Sequence, residues 1–186
     1  MIYRADIDSL RAVAMFFVLM FHLRVPGFDF GFLGVDIFFV ISGFLISSIL
    51  LPHNKNNSLP KFGDFIKKRL LRLMPALLVV CTSTLLFSLG NLSNNILNGV
   101  GGASFSSILY LSNFYYIGSI DYFNSEALLK PLLHTWSLSI EMQFYVVFYC
   151  FCAIFHFFSF QRKVFIYTLI LIFFFSIFLA TLFSAS

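Results

Sequence analysis

The chain has 186 residues, of which 60% are hydrophobic, 11% are charged and 28 are phenylalanine. With a mean hydropathy of +0.92, that composition excludes an ordinary soluble domain and marks an integral membrane protein. The formal charge of +4 is local, since six of the twelve Lys and Arg lie between Lys55 and Arg72. No basic stripe is interleaved with exposed aromatics, so nucleic acid is not the partner.

The first apolar stretch, 8–23, begins Asp8-Ser9-Leu10-Arg11 and runs to His22. Eleven helical steps at 100° bring Arg11 and His22 back to within roughly 20° of one face, about 16 Å apart along the axis. Ionisable groups in a bilayer face a bundle interior or a watery cavity, so this face reads as the wall of a polar passage. The plainer alternative makes Arg11 a cytoplasmic anchor and His22 an interfacial residue. Arg11, His22 and the missing small-x-small site argue for a retained helix, not a cleaved leader.

The second stretch, 32–51, carries Gly34-Val35-Asp36 and Ser42-Gly43. Gly34, Gly43 and Ser42 suit close helix packing. A carboxylate at the start of a span needs a partner, and the short Arg24–Gly31 loop puts Asp36 at the depth of His22. Asp36 is expected to orient or charge that imidazole, the alternative being a carboxylate stabilised by the first-turn dipole.

The loop Pro52 to Arg72 is basic and therefore cytoplasmic, which makes the N-terminus cytoplasmic as well. Lys68 and Arg72, four apart, share a helix face with Arg69 one position round. That cationic face suits the phosphates of a nucleotide-bearing donor, or equally anionic lipid. Further apolar stretches follow at 71–90, 99–117, 136–158 and 164–184. The Gly-, Ser- and Asn-rich 99–117 is expected to re-enter rather than cross, which keeps Arg162-Lys163 on the cytoplasmic side. Cys81, Cys150 and Cys152 lie in apolar runs and read as buried, inert thiols. No ligand cluster calls for a metal.

The late stretch His134-Thr135-Trp136-Ser137-Leu138-Ser139-Ile140-Glu141 puts His134, Ser137 and Glu141 on one helix face. Glu141 inside an apolar span is a functional candidate, while Trp136 alone would be an interfacial belt residue.

Four signatures stand in order: Arg11–ten residues–His22; Gly34-Val35-Asp36 running on through Phe38-Phe39-Val40-Ile41-Ser42-Gly43-Phe44; Phe65-x-x-Lys68-Arg69-x-x-Arg72-x-x-Pro75; and His134-Thr135-Trp136-Ser137-Leu138-Ser139-Ile140-Glu141. Together they resemble the acyltransferase type 3 family, bacterial membrane proteins that O-acetylate surface polysaccharides. Where the family often has a second Glu, this chain has Met142. The resemblance implies an all-α, polytopic helix bundle in the bacterial inner membrane, here five to six spans. It also implies that residues 1–186 form one partial transmembrane domain with no soluble domain. That domain looks like the first half of a bundle of about ten helices, and activity from it alone is not expected.

The implied reaction moves an acetyl group from cytoplasmic acetyl-CoA, a donor substrate and not a bound cofactor, to a hydroxyl of a carbohydrate or lipid-linked glycan such as O-antigen. Lys68, Arg69, Arg72 and Arg11 would hold the donor phosphates. His22 would be general base or acyl carrier, with Asp36 and Glu141 in supporting catalytic roles. His134, Trp136, Ser137, Ser139 and Ser42 would line the substrate site. A transporter or proton relay, or a non-catalytic remnant, are the rival readings.

Overall fold

The computed structural model describes residues 4–51, 59–91, 94–117, 130–158 and 162–184. Among them all regular structure is helical: α1 (Ala5–His22), α2 (Leu33–Leu50), α3 (Phe62–Asn91), α4 (Asn94–Ile108), α5 (Ser112–Tyr116), α6 (Thr135–Phe157) and α7 (Arg162–Ser184). Four segments, Leu33–Leu50, Phe62–Gly90, Thr135–Phe157 and Lys163–Leu182, are long and apolar enough to cross a membrane. The all-α, polytopic character is as expected, and among the described residues four helices meet this measure, against the five to six spans expected. α1 is 18 residues long but carries Asp6, Asp8 and Arg11. The stretch 99–117 is divided between α4 and α5, neither of span length.

α3 begins at Phe62, earlier than the apolar stretch at 71, so Lys67 to Arg72 lie on a helix instead of in a loop. No breaker separates 62 from 71, and Asp64 in the first turn complements the helix dipole. Pro75 sits inside this helix and cannot donate to the Leu71 carbonyl one turn back. Most of the mixed segment Gly118 to Thr135 and of the loop after Leu51 lies outside the described residues.

The chain divides into two compact units, Met1–Val147 and Phe148–Ser186. In the first, α2 returns along α1 so closely that glycine is required. A Cβ on Gly31 would stand 2.3 Å from the Phe17 carbonyl oxygen, and one on Gly34 2.5 Å from that of Ala14, itself wholly buried. Gly43 has nothing within 4 Å, so the close-packing expectation holds for Gly34 and not for Gly43. The hairpin starts where α1 stops. Arg24 adopts a left-handed φ of 54°, its N–H donates to the Phe21 carbonyl and that of Val25 to Met20, a Schellman ending built without glycine.

The same ending closes α4. Tyr110 has φ 55°, its N–H bonds Ser107 and that of Leu111 bonds Ser106. The turn it creates is fastened to α6 by side chains. Gln143 exchanges amide hydrogen bonds with Asn113 (3.0 and 2.9 Å) and donates to the Tyr110 carbonyl at 2.8 Å. Ser112 and Ser139 share a hydroxyl bond of 2.7 Å, as do Ser107 and Thr135. In an apolar surrounding each buried polar group needs such a partner, so this row of bonds holds the irregular backbone of the turn against α6.

In the second unit Phe151, Phe155 and Phe165 form an aromatic cluster with centroids 4.6–5.1 Å apart. Cys81 and Cys152 are buried free thiols, whereas Cys150 is exposed, because it lies on another face of α6. That corrects the expectation of three buried cysteines.

Candidate functional site

The first unit gathers polar and charged side chains from three helices around one carboxylate. Ser42 of α2 and Tyr145 of α6 both donate to the same oxygen, Oε1, of Glu141. Glu141 and Tyr145 are four apart, hence neighbours on one helix face. Ser42 and Tyr145 are buried, with 4% of each exposed. Arg69 of α3 lies with its guanidinium 5.6 Å from the centre of the Tyr145 ring and 5.8 Å from that of Phe65. Arg69 also feels the charges of Arg72, Glu141 and Arg11.

What these groups leave unused matters as much. Among the described residues the guanidinium of half-buried Arg69 donates no hydrogen bond, and Oε2 of Glu141 accepts none. Arg69 and Glu141 sense one another, yet form no contact within the 4.0 Å of an ion pair. A planar fork of five donors with no acceptor, beside further arginines, is a place for an anion with several oxygens.

His22 ends α1. Its Nδ1 lies 2.9 Å from the Val18 carbonyl oxygen. A carbonyl only accepts, so Nδ1 carries the proton and the Nε2 lone pair is free to take one. The expected pairing with Asp36 does not form. Asp36 is exposed in the first turn of α2, and among the described residues no ion pair joins it to His22. The carbonyl one turn back is already in reach of Nδ1, so the imidazole is oriented by backbone.

His134 stands exposed in the turn before α6. Partial burial lowers its pKa below 6.5, and the neighbouring His22 lowers it further, against a backbone contact at Pro131 that raises it. The neutral imidazole is therefore favoured there.

The other expected positions take separate places. Lys68 and Arg72 are exposed on α3, and Arg11 is half-buried on α1. Trp136 packs edge-on to Phe39, with centroids 6.5 Å apart. Ser137 donates to the His134 carbonyl at 3.0 Å. Ser139 is spent on the bond to Ser112. Sequence reasoning gave no role to Tyr145, Gln143 or Asn113. Gln143 was discoverable as an amide inside a span, while Tyr145 is one aromatic among many.

A family model described as an acyltransferase domain matches residues 4–186. A Bacillus subtilis protein named provisionally as a peptidoglycan O-acetyltransferase, YrhL, is 41% identical over 146 residues, 78% of this chain and 23% of its own length. The O-acetyltransferase OatA of Staphylococcus aureus is also 41% identical, over 151 residues, 78% of this chain and 24% of its own. The chain thus spans about a quarter of the length of the curated relatives it matches. No solved structure matches it.

Proposed function

This chain belongs to the acyltransferase type 3 family, and from that premise we propose that it takes part in moving an acetyl group from acyl-CoA to a carbohydrate hydroxyl outside the membrane. The observation that carries this is the unused guanidinium of Arg69, flanked by Arg72 and Arg11. Charge-assisted, bidentate bonds to phosphate suit that fork, and the diphosphate of coenzyme A supplies the oxygens. The basic start of α3 favours the cytoplasmic side of the inner membrane for this end, together with the N-terminus.

Arg11 and His22 lie eleven residues apart on α1, about 16 Å along its axis. A donor held by its phosphates near Arg11 extends its pantetheine arm and thioester toward His22. The acceptor O–H gives its proton to Nε2 of His22 while its oxygen attacks the thioester carbonyl carbon. The C–O bond forms, the C–S bond breaks, and the departing thiolate takes the proton, leaving an ester and free coenzyme A. The name of the Bacillus subtilis relative favours peptidoglycan over O-antigen as acceptor class. A transporter reading gives the arginines of α3 no task.

The test is titration of coenzyme A into the chain in lipid nanodiscs. Each charge-assisted bond contributes about 1.5–3 kcal/mol, so Arg69→Gln weakens binding about tenfold or more. Absence of binding, or affinity indifferent to Arg69, contradicts the reading.

A further inference from the structure

We propose that Tyr145 is a positioning residue: a spacer that holds Arg69 and Glu141 close together while preventing them from pairing. The proposal deepens the functional reading above and rests on it for the identity of the anion. Opposite charges on facing helices in an apolar surrounding attract strongly, and a direct ion pair is their default arrangement. Here they stay apart.

The reason stands between them. The Tyr145 hydroxyl donates to Oε1 of Glu141, and the face of the same ring lies 5.6 Å under the Arg69 guanidinium. One side chain thus satisfies the carboxylate at its tip and the cation on its π-face. Ser42 donates to the same Oε1 from α2 and fixes the carboxylate from the other side. The consequence is a pair of opposite charges whose outward atoms, the Arg69 N–H groups and Oε2 of Glu141, are kept for a third party. Tyr145 itself is buried and acts through the two residues it separates.

The geometry requires that the ring and the hydroxyl be separable in effect. Tyr145→Phe keeps the ring under Arg69 and is expected to bind coenzyme A within twofold of the parent. Tyr145→Leu removes the spacer, lets Arg69 close on Glu141, and is expected to bind about tenfold more weakly. Neutralising the carboxylate in that background, Tyr145→Leu with Glu141→Gln, removes the competing partner and restores affinity to within about threefold. A merely structural role for Tyr145 predicts no such rescue. Parent-like binding by Tyr145→Leu, or a double variant as weak as Tyr145→Leu, overturns the proposal.

Thermal unfolding in nanodiscs gives an arm independent of any ligand. The melting-temperature shifts of Arg69→Gln and Glu141→Gln are expected to couple only weakly in the parent, where the two share Tyr145 but form no ion pair. They should couple more strongly in the Tyr145→Leu background, where the two are paired. Equal coupling in both backgrounds overturns the spacer even if coenzyme A does not bind. Failure of the parent to bind coenzyme A, with the change in coupling present, overturns only the donor assignment.

Discussion

At the residue scale the account turns on two imidazoles. His22 is set by a backbone carbonyl, and the pKa of His134 is lowered by partial desolvation and by the charge of His22. Replacing His22 by Gln removes the second of these causes, so the His134 pKa rises toward 6.5. Selectively labelled histidine observed by NMR in nanodiscs reads this directly, and an unmoved His134 shows that the two do not interact. The sign for stability follows. The folded-state pKa of His134 is lowered, so its contribution is present above pH 6.5 and lost as pH falls from there through the folded value. Glu141 was legible in the sequence because a carboxylate in a span is expensive. Its partners were not, because Tyr145 and Ser42 declare themselves only when α2 and α6 meet. The Asp36–His22 pairing failed for a related reason: equal depth does not decide side-chain direction.

At the element scale two junctions position the site. The α1–α2 contact depends on Gly34, where a methyl group would meet the Ala14 carbonyl at 2.5 Å and Val18 at 2.7 Å. Gly34→Ala is expected to destabilise by about 1–3 kcal/mol, whereas Gly43→Ala, in open space, is tolerated. Comparison of their thermal unfolding checks the pair. The second junction is the α4–α5 turn on α6. Gln143→Leu deletes three hydrogen bonds and strands the Asn113 amide and the Tyr110 carbonyl, a loss of about 2–3 kcal/mol. Hydrogen exchange should then speed up at 107–116 before elsewhere, and uniform loss of protection would show that the turn is not a separate unit. Composition suggested that 99–117 is irregular. The position of the break did not follow, since the residue turning left-handed is Tyr110 and not one of the nearby glycines.

At the scale of the whole molecule, hydropathy foretold an all-helical membrane protein, and the four ordered signatures foretold its family. The span count was less legible, because an apolar average hides both the charges at the start of α1 and the turn within 99–117. The first unit holds Arg69 near Glu141 and carries His22 at the end of α1, and the proposed acyl transfer runs between them. The most direct test expresses the chain, alone and joined to any further coding sequence that adjoins it, in a strain lacking peptidoglycan O-acetylation, and measures acetate released from the purified glycan by mild alkali. The account predicts esters that depend on His22, with His22→Ala reducing them to background at unchanged membrane levels. Esters that persist in His22→Ala, or that appear in neither form of the parent, contradict it.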